Sequence, residues 1–185
     1  MLAEAMISLP QTTLVLGGAR SGKSAYAERL IGDAAPVATY LATAEAGDGE
    51  MFERIAHHRA RRGAGWMTIE EPLDLVGALR RVTTAERPVL VDCLTLWLSN
   101  LMHAERDIAG ETAALAACFA DLAGPVVLVS NEVGQGIVPD NALARAFRDH
   151  AGRLHQAVAA AADLVVFVTA GLPMALKSPN DFLVK

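Results

Sequence analysis

The chain has little of several things, and each shortage excludes a class of protein. Cysteine occurs only at Cys93 and Cys118, with no C-x-x-C or ligand spacing, so neither a disulfide framework nor a zinc site is indicated and a reducing cytosol is the expected setting. Aromatic residues are 5% of the sequence and the net charge is −5. A base-stacking surface and a polyanion-attracting field are both missing, so no nucleic-acid partner is expected, and any phosphate has to be held by local groups. Long uncharged apolar runs are absent too. The most apolar stretch, Ala157–Gly171, is broken by Asp163 and is too short to span a bilayer, while Met1–Pro10 carries Glu4 and no cationic leader, so neither membrane anchor nor secretory signal is expected. No Ser/Gly/Pro linker and no internal repeat divides the chain, which leaves residues 1–185 as one expected domain.

Hydrophobic residues make up 52% of the 185 positions. Short β-type runs alternate with segments of helical period, the pattern of an α/β fold with a mostly parallel sheet flanked by helices. Strands are expected at Thr13–Gly17, Val37–Ala42, Trp66–Ile69, Pro88–Asp92, Pro125–Ser130 and, last, Leu164–Thr169. Helices are expected at Lys23–Ile31, Glu50–Arg62, Leu73–Val82, Leu94–His103, Ile108–Leu122 and Asn141–Ala162, with a flexible Thr43–Gly49 between the second strand and its helix.

Gly17-Gly18-Ala19-Arg20-Ser21-Gly22-Lys23-Ser24 satisfies G-x-x-x-x-G-K-[ST] between an expected strand and an expected helix. Glycines let peptide N–H groups turn inward around phosphates, the helix N-terminus adds partial positive charge, Lys23 reaches the outer phosphates and Ser24 can ligate Mg²⁺. The fold is therefore expected to be of the P-loop NTPase type. Asp92, at the end of a buried strand, is the candidate metal-linked carboxylate; its competing reading is the N-cap of the helix beginning near Leu94.

His57-His58-Arg59-Ala60-Arg61-Arg62 gathers five basic or titratable side chains in six residues. Such a run is normally a solvated helix face. Neighbouring arginine charge would also keep an imidazole neutral and nucleophilic, so a catalytic histidine stays open on residues alone. Asn131–Pro139 follows a buried strand and combines Gly134 and Gly136 with polar groups. It reads either as a site-forming loop with Glu132 as candidate acid or base, or as a glycine-shaped connection with Glu132 in solvent. Asp149 and Arg153 read as a helix-stabilising i,i+4 pair, Trp66 and Trp97 as core or interface residues, and His155 carries no assigned chemistry.

Taken together, Gly17–Ser24, Tyr40–Thr43, Arg54–Arg59, Trp66–Pro72, Val91–Thr95 with Asn100-Leu101, and Val129–Pro139 resemble the bifunctional adenosylcobinamide kinase/adenosylcobinamide-phosphate guanylyltransferases of cobalamin biosynthesis. The resemblance covers about Leu14 to Lys177. It implies two reactions at one nucleotide site. ATP or GTP phosphorylates the aminopropanol hydroxyl of adenosylcobinamide; then a histidine, by position His57, attacks the α-phosphate of GTP and passes GMP to the phosphorylated corrinoid. The implied nucleotide contacts are Gly17, Gly18, Ala19, Arg20, Ser21, Gly22, Lys23 and Ser24, the segment Ala42, Thr43, Ala44 and Glu45, the segment Arg59, Ala60, Arg61 and Arg62, and Glu70 and Asp92, with Mg²⁺ at Ser24 and Asp92. A homo-oligomer, commonly a trimer, is implied as well. Gly63 departs from the family, which often has proline there. Two alternatives remain open from sequence: a P-loop small-molecule kinase without guanylyl transfer, and a non-catalytic nucleotide-binding switch.

Overall fold

Apolar residues occupy consecutive positions in most strands, so both faces of the sheet have to be covered. The computed structural model, which describes residues 8–44, 63 and 65–179, meets that demand with helices on either side. The strands are β1 (Thr12–Gly17), β2 (Ala38–Ala42), β3 (Trp66–Glu70), β4 (Val89–Asp92), β5 (Val126–Asn131), β6 (Leu164–Thr169) and β7 (Leu172–Lys177). The described helices are α1 (Lys23–Gly32), α2 (Leu75–Val82), α3 (Leu94–His103), α4 (Ile108–Cys118) and α5 (Ala142–Ala161). One seven-stranded sheet runs β3-β2-β4-β5-β1-β6-β7. Strands β1 to β6 pair in parallel, and β7 is antiparallel to β6.

Side-chain alternation divides the strand residues between two cores. Leu14, Leu16, Val91 and Leu128 pack with Leu79, Trp97, Leu115 and Leu154 of α2 to α5 on one face. Val15, Leu90, Val129 and Val166 pack with Tyr26, Ala27 and Ile31 of α1 on the other. Each fully buried Leu or Val stabilises the fold by about 1.5–3 kcal/mol, and the central strands hold them on both faces. Helix starts follow local chemistry: Asp74, Asp107 and Asn141 accept from the amides of Gly77, Gly110 and Ala144 at 3.0, 3.1 and 2.7 Å, the side-chain capping that orphan N–H groups require.

Several expectations need correction. Leu164–Thr169 is not the last strand, because Ala170 (φ 50°) and Gly171 (φ 79°) make a two-residue turn of left-handed backbone that sends β7 back beside β6, as type I′ hairpins do. The helix expected at Ile108–Leu122 stops at Cys118 and gives way to a 3₁₀ turn over Phe119–Asp121. The one expected from Leu73 begins at Leu75, where the Asp74 cap sets its start. Asp149 pairs with Arg148 at 3.0 Å rather than reading as the Arg153 partner. The expected helix Glu50–Arg62 lies outside the described residues. Among the described residues, no helix is long and apolar enough to cross a membrane.

Candidate nucleotide site and its comparison with known proteins

Every strand from β1 to β6 points its carboxyl end to one edge of the sheet, and in such sheets ligands bind at that edge. There Gly17 closes β1. A Cβ at Gly17 would stand 2.5 Å from the carbonyl oxygen of Val168, so only glycine fits. Gly22, the residue before α1, has φ +96°, and a Cβ there would come within 3.2 Å of the Gly171 Cα. The turn is held by Ser21 N–H donating to Gly18 O (3.2 Å) and by Gly171 N–H donating to Ser21 O (2.8 Å). Lys23 is buried (8% exposed), and its Nζ donates to Gly18 O at 3.1 Å, which bends the ammonium back over the loop. Gly22, the N-cap of α1, has no side chain to cap the helix, and the first turn holds no acidic residue; such a helix start favours an anion. Ser24 is half-buried in that same first turn.

Beside this turn stands β5, with Gly17 in register with Asn131. Glu132 N–H donates to Gly17 O at 3.0 Å. Asn131 Nδ2 donates to Thr95 Oγ1 at 3.0 Å. Glu132 is not left in solvent: one carboxylate oxygen accepts from Gly134 N–H, and the other lies 3.7 Å from Nδ1 of His155. His155 Nε2 is 2.7 Å from the hydroxyl of the fully buried Ser130. Burial pushes the His155 pKa below its ordinary value, with the Glu132 carboxylate opposing more weakly, so the ring is held neutral.

Asp92 is not on the strand next to β1. Strand β5 intervenes, placing Asp92 two strand spacings from the P-loop strand, about 9–10 Å. Nor does Asp92 cap α3, whose N-cap is Cys93; its carboxylate accepts instead from the Tyr40 hydroxyl at 3.0 Å. Ala42 is in register with Asp92, which brings the two to one edge. Thr43 is fully buried, donates to Cys93 O at 2.8 Å and accepts from Cys93 N–H at 2.9 Å. It is therefore an anchor and not part of a flexible segment; of that segment, residues 45–49 lie outside the described residues. Ala44 is half-buried. Glu70 ends β3 at the same edge and is exposed, but it stands four strands from β1, roughly 19 Å at the usual spacing. Glu45, His57, Arg59, Ala60, Arg61 and Arg62 lie outside the described residues. Burial first, then the Asp92 charge, pushes the Cys93 thiol up, which removes it as a nucleophile at neutral pH.

Reading the sequence missed Ser130 and His155. Their signal was present. Ala151, Leu154, His155 and Val158 are the buried positions of α5, an i, i+3, i+4, i+7 stripe with one imidazole in it, and Ser130 is a hydroxyl that follows four consecutive apolar residues in β5.

With this geometry, the sequence pattern of the cobinamide kinase/cobinamide phosphate guanyltransferase family matches residues 13–176. The chain belongs to this family. Among its relatives, the bifunctional adenosylcobalamin biosynthesis protein CobP of Pseudomonas aeruginosa is 54% identical over 89% of this chain and 96% of its own length. The corresponding CobU protein of Salmonella typhimurium is 44% identical over 89% of this chain and 98% of its own. Among solved structures, the flagellar accessory protein FlaH from Methanocaldococcus jannaschii superposes with a TM-score of 0.53 at 11% identity, covering 92% of this chain and 80% of that one. That likeness carries the P-loop NTPase fold alone.

Proposed function

We propose that this chain, like the family to which it belongs, phosphorylates the aminopropanol hydroxyl of adenosylcobinamide with ATP or GTP and then transfers GMP from GTP to the product, giving adenosylcobinamide-GDP and pyrophosphate. The observation that carries the reading is the uncapped α1 start with Lys23 folded over its glycine turn, flanked by the Asn131-Glu132 strand end. A helix start without a side-chain cap and an ammonium held over the turn before it suit the charge that develops in phosphoryl transfer.

In the first step the corrinoid hydroxyl attacks the γ-phosphorus, the β–γ bridging P–O bond breaks so that ADP or GDP leaves, and the hydroxyl proton passes to a base, for which Glu132 is the candidate. In the second, a ring nitrogen of His57 attacks the α-phosphorus of GTP, the α–β bridging P–O bond breaks and pyrophosphate leaves. The corrinoid phosphate then displaces the histidine. Covalent relay through an imidazole splits one difficult transfer into two. The remaining nucleotide contacts would be Gly17 to Ser24, Ala42 to Glu45, Arg59 to Arg62, Glu70 and Asp92. Ser24 and Asp92 offer the hard oxygen donors that suit Mg²⁺, which when bound would neutralise phosphate charge. Among the described residues no cluster of three or more His, Cys, Asp or Glu side chains offers a cage for a metal, in keeping with an ion held jointly with substrate phosphates.

An apolar groove of about 410 Å³ between α3 and the start of α5, lined in part by Met102, Leu143 and Phe147, is our candidate for part of the corrinoid contact. Exposed Leu172, Met174 and Leu176 along edge strand β7 support self-association, in keeping with the trimer expected of the family. The cytoplasm is the proposed location.

Incubation with α-labelled GTP tests the central step. Acid-labile label should remain on the wild-type protein and be absent from His57→Ala. Label on the variant would defeat the assignment of His57, and absence of label on both would defeat guanylyl transfer and leave a kinase.

A further inference from the structure

Ser130, His155 and Glu132 stand in the order of a nucleophile triad: a hydroxyl at 2.7 Å from Nε2 and a carboxylate at 3.7 Å from Nδ1. Ser130, however, is fully buried and paired within the sheet beside Leu16, so no substrate atom reaches its hydroxyl. The constellation has to act in the other direction, from the core outward. One ring proton satisfies both contacts: Ser130 O–H donates to Nε2, and Nδ1–H faces Glu132. Nδ1 and the carboxylate oxygen, 3.7 Å apart, are within ion-pair reach but farther apart than a formed hydrogen bond, a separation of the kind that tightens when substrate binds. The other carboxylate oxygen is held by Gly134 N–H. Each oxygen keeps a second lone pair, and the Glu132 side chain is 22% exposed, so the carboxylate is oriented and still able to accept a proton.

We propose that His155 is a positioning residue for the kinase half-reaction. Anchored by Ser130, its imidazole aims the Glu132 carboxylate at the alcohol that receives the γ-phosphoryl group, and it has no part in guanylyl transfer. The inference rests on Glu132 being the proton acceptor of the kinase step. It is carried by three side chains from β5, the loop after it and α5 converging within one residue of Gly17's strand partner Asn131. A neutral ring is what burial enforces there, and an imidazole with one proton has no other described side chain to serve at Nδ1.

The test uses the full-length protein and reads the two half-reactions separately: ATP-dependent phosphorylation of adenosylcobinamide, and self-labelling with α-labelled GTP. His155→Leu should lower kcat for corrinoid phosphorylation by about 10- to 100-fold, the usual effect of removing an orienting partner, with nucleotide KM and self-labelling within about twofold of wild type. His155→Asn keeps an amide donor near the Nδ1 position and should recover most of the kinase rate, whereas His155→Gln keeps a polar group near the Nε2 position and should recover little. Equal loss of both half-reactions, no loss in either, or recovery by Gln and not by Asn would each overturn the proposal. Should the Leu variant fail to fold, the Asn and Gln pair decides alone. A Glu132→Gln protein with full kinase activity would remove the base on which the inference rests. Wild-type protein that never phosphorylates adenosylcobinamide would instead remove the proposed function itself.

Discussion

The two strands that flank β1 meet the phosphate turn in different ways. On the β6 side the contacts are backbone to backbone: Gly171 N–H donates to Ser21 O, and Gly17 lies so close under Val168 O that no Cβ fits. On the β5 side a backbone bond from Glu132 N–H to Gly17 O is joined by polar side chains standing beside the turn: Asn131 bonded to Thr95, and Glu132 backed by His155 and Ser130. One flank sets the shape of the cradle and the other supplies groups that differ in chemistry, so damage on the first should strike both half-reactions alike and damage on the second should separate them.

The largest effect is expected at the centre, where the flanks meet. Lys23→Ala should lower kcat/KM for corrinoid phosphorylation and for self-guanylylation alike, each by about 10²–10³-fold, as removal of a charge-stabilising donor does. Steady-state and labelling assays on one preparation check this, and a variant that loses a single half-reaction would break the symmetry assigned to the cradle. Next comes Gly22→Ala on the shape-setting flank. Its φ of +96° and the 3.2 Å approach to Gly171 should cost about 1–3 kcal/mol in stability and weaken ATP and GTP binding together, read by thermal unfolding and calorimetry.

The smallest effect is a pH dependence on the β5 flank. The His155 pKa is lowered in the folded chain below the ordinary 6.5, so below that value the unfolded chain binds the proton more readily. Stability due to the neutral ring is complete above pH 6.5 and declines as pH falls from there toward the depressed folded value. Urea unfolding midpoints should therefore drop with acidification more for wild type than for His155→Leu, and parallel slopes would show that the ring does not stay neutral.

Much of this was legible in the chain itself. The phosphate turn is a contiguous motif whose requirements, glycines, a lysine and a helix start, are met within Gly17–Ser24. Strands β1, β2 and β4 to β6 announced themselves by runs of buried residues because both faces are covered. Strand β7 did not, since its residues are largely exposed and its turn is Ala-Gly, without the Asn or Asp that usually marks such a hairpin. Thr43 read as the start of a loose loop, although its hydroxyl is tied to both backbone groups of Cys93, fifty positions away in sequence.

Sequence alone determined the order of strands β1 to β6 and of the described helices, the glycine-rich turn and the family, because each depends on residues close together or on a pattern carried along the whole chain. Tertiary structure alone decided which strand lies beside β1. By inserting β5 there and setting β4 one place farther off, it made Asn131 and Glu132 the immediate neighbours of Gly17 and brought His155 behind them. Strand neighbours are chosen by packing between segments more than a hundred residues apart, and no local propensity records that choice.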